Sequence, residues 1–414
     1  MADVDLVLLT SSFPFGSVSE PFLETELPIV AKSFRTVHIL PSELSDGIPR
    51  ALPANVTIVR MPWLNGYTAT ARRNALVSPD AARVLGWSLA NWQDLAKQAT
   101  QPKVYADILA HNVLKSRDLA RFIEGCGLGD AVFYDYWFEN TTLALALLRS
   151  HGTVTTAVSR AHNFDIYDER WGGRPVPFRP AKARYLDAVY PVSQHGAEYL
   201  AEKTPSLIGK LRVHRLGVDD PGLSSPLPSP NAPPLIVTCA RLIPSKRIHL
   251  VPDVLATLGR PFRWVHIGDG IGREGVERAA VRALAPGTWE ILGSLSNHAV
   301  LDFYRTHSVQ LLLSLSESEG IPVSMMEAQS FGIPIVACGV GGVPEIVSPR
   351  TGALLAIHAT STEVAGAICR VLDAPELTRA SIRDQFRSKY DAESNYRGFV
   401  DDILVVRART PTTA

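Results

Sequence analysis

The sequence predicts an α/β protein of two doubly wound, parallel-sheet domains facing across a cleft, and three observations carry that prediction. Short apolar, β-branched runs alternate with helix-length segments from end to end, as βαβ units require. The 414 residues exceed one ordinary core and suit two domains of about 200 each. A seam at 219–234, DDPGLSSPLPSPNAPP, holds six prolines and admits neither a central strand nor a long helix.

In chain order the strand runs are VDLVLLT, TVHIL, AVFYDYW, TVTTAVS and AVYPVS, then LIVTCA, RWVHIG, WEILG, VQLLLSL and PIVAC. They set a first domain at 1–218, a linker at 219–234, a second domain at 235–390 and a terminal helical segment at 391–414. The opening MADVDLVLLT has acid before its apolar run, so it reads as a first strand and not a signal peptide. The tail SNYRGFVDDILVVRAR is amphipathic and able to pack on either domain.

Composition removes several classes. Apolar residues at 46% and charged residues at 20% describe a soluble globular chain. Lys+Arg and Asp+Glu balance at 41 each, which argues against a nucleic-acid partner. No apolar run reaches the ~20 residues of a membrane span. Cys126, Cys239, Cys338 and Cys369 lack Cys-x-x-Cys spacing. No disulfide framework or zinc site is indicated, Cys239 and Cys338 read as core, and a reducing cytoplasm is the expected compartment.

The most informative stretch is 316–347, SESEGIPVSMMEAQSFGIPIVACGVGGVPEIV. Glu319 lies in a loop and Glu327 in a helix that Pro322 opens. Free amides at that helix start, with its dipole, suit a phosphate, and the flanking carboxylates suit hydroxyls. Taken alone, Glu327 reads equally as a solvated helix residue. The frame is an apolar strand, Glu-Gly-Ile-Pro, a short helix, Gly-Ile-Pro, a second strand and Gly-Val-Gly-Gly-Val-Pro-Glu. That frame resembles the signature region of retaining nucleotide-sugar glycosyltransferases of family 4, which have the GT-B fold.

Arg241 and Lys246 fall just past the first strand of the second domain, where cations meet a diphosphate. The segment resembles the family's Gly-Arg-Leu…Lys-Gly loop, with Ala240 and Arg247 standing where glycine is common. Arg247 is left as a third cation or a solvated side chain. RWVHIGDGIGREG contains Gly270-x-Gly272-x-x-Gly275, but it follows the domain's second strand and lacks an acid ~20 residues on. The same segment resembles the family's Gly-Asp-Gly turn, which closes a nucleotide pocket. No carboxylate pair convincing as a metal site is present, so no metal and no cofactor are expected.

In the first domain, Gly16 sits in the turn after the first strand and Ser19 is a candidate helix cap. Arg160, His162 and Asp165 end a β-branched run, and Tyr134, Tyr136, Trp137 and Glu139 end another. Trp171, Arg174, Phe178, Arg179, Lys182 and Arg184 form a basic and aromatic mixture, read as an acceptor rim, a contact for anionic lipid or a solvated face.

The resemblance implies a retaining transferase that moves a sugar from a nucleoside diphosphate to an acceptor hydroxyl. The donor would hold to Glu327, Gly320, Ile321, Pro322, Val323, Gly16, Gly268 and Gly293. Glu319, Arg241, Lys246 and His162 are the expected catalytic set, with Arg160, Asp165, Tyr136 and Trp137 at a glycan or lipid-linked acceptor. It further implies front-face attack, a terminal helix returned to the first domain, and a cytoplasmic enzyme with peripheral membrane contact. A GT-B sugar-nucleotide 2-epimerase and a non-catalytic glycan- or nucleotide-sugar-binding subunit stay open, as does the oligomeric state.

Overall fold

Strand alternation becomes two sheets of six parallel strands among residues 3–15, 20–44, 48–139, 141–229 and 232–409, which this computed structural model describes. Contacts divide the chain into a first unit, through Arg215 with Tyr396 onward, and a second unit, Leu216–Asn395. The first sheet contains β1 Leu6–Thr10, β2 Val37–Pro41, β3 Val56–Ile58, β4 Val132–Asp135, β5 Thr156–Ala161 and β6 Ala188–Pro191. The second contains β7 Leu235–Cys239, β8 Arg263–Ile267, β9 Trp289–Ile291, β10 Val309–Ser314, β11 Ile335–Cys338 and β12 Gly352–Leu355. Their orders are β3-β2-β1-β4-β5-β6 and β12-β11-β10-β7-β8-β9. Each is the doubly wound order, with one switch point, at β1/β4 and at β7/β10.

Helices cover both faces of each sheet, so the strands read as continuous apolar runs. Leu6 and Leu8 of β1 join one core cluster, Val7 and Leu9 the opposite one. The terminal helix Ala392–Arg409 places Phe399, Val400, Ile403 and Val406 in the cluster of Leu6 and Leu8. Phe399 lies 5.2 Å from the Tyr134 ring, 5.0 Å from Tyr190 and 4.1 Å from the Arg160 guanidinium. The Arg212–Asp402 pair at 2.6 Å fastens the same helix.

The structure corrects the reading at three points. Strands β3 and β12 are absent from the predicted runs; they are three- and four-residue edge strands, too short to show a period. The chain passes between units at 215/216, ahead of the expected boundary at 218. The proline-rich stretch is not a free linker: Asp220 pairs with Arg383 and Arg387, and Ser225 bonds to Phe331 and His307. Proline excludes regular structure from a tether and from an extended strap alike, so composition does not separate the two.

Between β3 and β4 the first unit inserts helices Ala69–Leu76, Pro79–Ser88, Trp92–Gln98 and Pro102–Cys126. Thr68 and Ser78 cap the first two, and Gly127 at φ +65 closes the last. Phe399→Ala leaves a ring-sized cavity beneath β1 and β4. It should cost about 3–5 kcal/mol, read as a lowered urea midpoint with an unchanged slope.

Candidate functional site

In the second unit the loops leaving β7 and β10 meet at the switch point. Lys246 Nζ contacts Glu319 Oε1 at 2.5 Å, and Glu317 N donates to Ser245 O at 2.9 Å, tying the two loops together. Glu319 is buried and Lys246 half-buried, whereas Arg241 is exposed and its side chain makes no hydrogen bond or ion pair among the described residues. Gly341, at φ +53, lets its turn lie on the Glu319 backbone; a Cβ there would collide with the Glu319 carbonyl oxygen. Gly342 N then donates to Gly320 O at 2.8 Å.

Arg247 is neither a third free cation nor solvated. Its backbone is left-handed at φ +49, a conformation glycine adopts without strain. Its guanidinium donates inward to Leu315 O at 2.6 Å and Ile357 O at 2.9 Å and contacts Cys338 Sγ at 3.2 Å. It thereby fixes the ends of β10, β11 and β12.

Pro322 is extended and caps the helix Val323–Ser330, which begins one residue after the expected start. Met325 N reaches Pro322 O at 3.1 Å, and the amides of Val323 and Ser324 have no intrahelical acceptor. Glu327 is buried, and its Oε1 accepts from Asn297 Nδ2 at 2.5 Å. Burial raises its carboxyl to about 7, against the lowering effect of Asn297. Gly268 and Gly293, expected at the donor, are joined backbone to backbone, with Gly268 N donating to Gly293 O at 2.8 Å. A Cβ on Gly268, at φ +143, would collide with the Ala240 carbonyl oxygen. Gly268 therefore lies against Ala240, the residue before Arg241.

In the first unit, Gly16 and Ser19 lie outside the described residues. The neighbouring turn is held by buried Glu20, whose carboxylate accepts from the amides of Ser11, Ser12 and Phe13 at 2.7–2.9 Å and from Trp137 Nε1 at 2.7 Å. Amides of the kind that cradle a phosphate are here occupied by an internal acid. His162 is buried between Trp137 and Tyr136, ring centroids at 4.5 and 4.7 Å. Its Nδ1 faces the Asp165 carboxylate at 3.7 Å, beyond hydrogen-bond length, and its Nε2 has no hydrogen-bond partner among the described residues.

Three expected acceptor contacts are enclosed by the core instead. Arg160 has no exposed surface; it donates to the Tyr134 hydroxyl at 2.9 Å and pairs with Glu26 at 3.4 Å. Tyr136 is likewise fully buried. Asp165 accepts from the amides of Phe138, His162 and Asn163 at 2.8–2.9 Å. Burial raises its carboxyl, but the His162 ring and these amides outweigh that and hold it low. Of the basic and aromatic mixture, Phe178, Arg179 and Lys182 are also buried, Arg179 on Asp168 and Lys182 on the Phe138 carbonyl.

Trp137 faces a cavity of about 390 Å³ at the carboxyl ends of β1, β2 and β4, lined also by Thr10, Ser42, Trp63, Lys115 and Asp135. Burial raises the Asp135 carboxyl to about 7 despite hydrogen bonds from Thr142 and the Trp137 amide. Burial lowers Lys115, whose ammonium donates to Ser42 at 3.2 Å and Thr141 at 3.3 Å. Sequence reasoning passes over both. Asp135 is visible only as an acid ending the AVFYDYW run, and Lys115 in mid-helix carries no local signal. An acid, an ammonium and two tryptophans around one cavity are a fit for a polyhydroxylated ligand. Among the described residues, no group of three or more Asp, Glu, His or Cys is arranged to hold a metal.

Residues 222–387 match the family described as Glycosyl transferases group 1. WcaL of Escherichia coli strain K12, named for glycosyl transfer in colanic acid biosynthesis, is 28% identical over 219 residues, 51% of this chain and 54% of its own length. The match therefore spans about half of that relative. Sucrose-phosphate synthase from Thermosynechococcus elongatus superposes with a TM-score of 0.72 at 14% identity, over 98% of this chain and 99% of its own. HepE from Anabaena, in complex with UDP and glucose, gives 0.64 at 16% identity, over 97% and 99%. At such identities the likeness is one of fold. Residues 222–387 thus match glycosyl transferases group 1, on a chain whose two parallel sheets are those of the GT-B fold.

Proposed function

We propose that this chain is a retaining, metal-independent glycosyltransferase. It moves a hexose or similar sugar from a nucleoside diphosphate to a hydroxyl of a glycan or lipid-linked acceptor, for polysaccharide assembly in the cytoplasm. One observation carries the reading: Lys246 and Glu319 form an ion pair at the β7/β10 switch point, on loops that also present an unpartnered Arg241. The group 1 segment supports the reaction class, WcaL's name the polysaccharide, and HepE's UDP and glucose a uridine donor.

An arriving diphosphate draws the Lys246 ammonium from Glu319 and meets Arg241 and the amides of Gly320, Ile321, Val323 and Ser324. Glu319, freed, accepts hydrogen bonds from sugar hydroxyls. Glu327 keeps one oxygen on Asn297 and offers the other to the ribose diol. The bond from the sugar's anomeric carbon to the phosphate oxygen breaks as the acceptor oxygen approaches on the same face. The acceptor's proton passes to the departing phosphate. Two fixed cations and helix amides meet the charge that a divalent ion meets elsewhere. His162 holds Nε2, the ring nitrogen turned from Asp165, for a sugar hydroxyl, and the Asp135–Lys115 cavity takes the acceptor.

Each charge-assisted hydrogen bond contributes about 1.5–3 kcal/mol, so losing both cations removes about 10²–10⁴-fold in rate. Transfer of labelled sugar from UDP- and GDP-sugars should therefore collapse in Arg241→Ala/Lys246→Ala with melting temperature unchanged, and should persist in wild type under EDTA. Near-normal turnover in the double variant overturns the leaving-group assignment, loss under EDTA overturns metal independence, and epimerised donor without acceptor overturns transfer itself.

The raised Glu327 carboxyl makes a second prediction with a definite sign. Above the unfolded pKa of about 4.3 the folded state retains a proton that the unfolded state has released. Stability therefore falls as pH rises towards about 7. Glu327→Gln should be more stable than wild type at pH 8, by on the order of 1–3 kcal/mol, and no more stable at pH 4. It should also bind UDP about tenfold more weakly at pH 8. Calorimetry with unchanged UDP affinity removes Glu327 from the ribose.

A further inference from the structure

The insert between β3 and β4 carries apolar side chains that its own packing does not use. Val77, Leu89 and Trp92 are 82%, 62% and 66% exposed, and Leu76, Leu85 and Val104 are exposed as well. They are not scattered. Leu76, Leu85 and Leu95 line an apolar groove of about 250 Å³ floored by Tyr105, Leu109 and Phe178. Leu89 follows Leu85 by four residues, and Leu95 and Ala99 follow Trp92 by three and seven. Those are the spacings of one helical face, which extends the groove's rim outward to Leu89 and Trp92. Gln98, also on the groove, is buried with its Oε1 lacking a partner among the described residues.

The exposed charge around this rim leans to the positive. Arg73, Lys97 and Lys103 are exposed and make no ion pair among the described residues. Asp80 is engaged with His151 at 3.0 Å and Asp107 with Arg72 at 3.0 Å, while Asp94 accepts from the Asn91 amide at 2.8 Å and lies within electrostatic reach of Lys97. An apolar ridge bearing a tryptophan and flanked by exposed cations without ion pairs is complementary to an anionic lipid surface. Among the described residues no helix is long and apolar enough to cross a membrane, so such contact is made from the surface.

We propose that the insert, through Leu85, Leu89 and Trp92 with Arg73, Lys97 and Lys103, docks on an anionic bilayer, and that its groove receives a lipid hydrocarbon chain. This places lipid contact on the insert, and the basic segment 170–184 singled out in the sequence contributes only the buried Phe178 beneath the groove. It does not depend on the transfer reaction.

The test is sedimentation of the full chain, without donor or acceptor, with vesicles of equal parts phosphatidylglycerol and phosphatidylcholine, against pure phosphatidylcholine. Each exposed cation near such a surface contributes about fivefold in partitioning. Wild type should bind the anionic vesicles at least about tenfold more tightly than the neutral ones. Leu89→Glu/Trp92→Glu should abolish binding, and Lys97→Glu/Lys103→Glu should abolish the anionic preference. Brominated phosphatidylglycerol should quench wild-type fluorescence more than that of Trp92→Phe, a readout that needs no charged variant. No wild-type binding to either vesicle, wild-type-like binding by both double variants, or equal quenching with Trp92→Phe overturns the proposal. So does a wild-type dimer in light scattering that Leu89→Glu/Trp92→Glu dissociates, because a second copy then covers the ridge.

Discussion

Strands in a parallel sheet share one direction, so the loops leaving their carboxyl ends emerge along one edge, and the doubly wound order opens that edge at a single place per sheet. Here the openings fall between β1 and β4 and between β7 and β10. The groups with chemistry to offer collect there: Arg241, Lys246 and Glu319 in the second unit, Asp135 and Trp137 in the first. The strands have little freedom to vary because both faces are packed, whereas the loops are bound mainly by hydrogen bonds. Specificity and reactivity are thus loop properties resting on a topology set by burial.

Much of the charge near these openings is internal and never meets a ligand. Glu20 occupies the amides of the first turn, Asp165 gathers three amides around His162, and Arg247 joins the ends of three strands. Arg160 and Glu26 form a pair sealed under Phe399. Buried pairs of this kind add little net stability, since desolvation offsets attraction, yet removing one partner is costly. Their consequence is geometric: each holds a loop in one shape. Lys246–Glu319 differs, because exposed Arg241 lies on the same loop and a competing anion has a place to bind.

The fold was largely legible, and for a physical reason. With both sheet faces covered, each central strand is a continuous apolar run, and proline and glycine punctuate the intervals. Glu319, Lys246 and Arg241 were legible because a short stretch carries their whole frame. Arg160, Tyr136 and Asp165 were not, because which side of a strand end faces solvent depends on a helix that arrives from the far terminus. Lys115 enters its cavity only through packing of a long helix against β1, β2 and β4. Arg247 reads as one more loop cation until its left-handed backbone explains why glycine suits that position.

Donor binding turns on Lys246 exchanging a carboxylate for a diphosphate. Calorimetric binding of UDP to Lys246→Ala and to Glu319→Gln measures that exchange directly. If the ammonium is shared, Lys246→Ala weakens UDP by about ten- to a hundredfold, while Glu319→Gln leaves its affinity unchanged or tighter, the competitor being gone. Equal weakening in both variants would mean that the pair is a structural brace, and the account would fail.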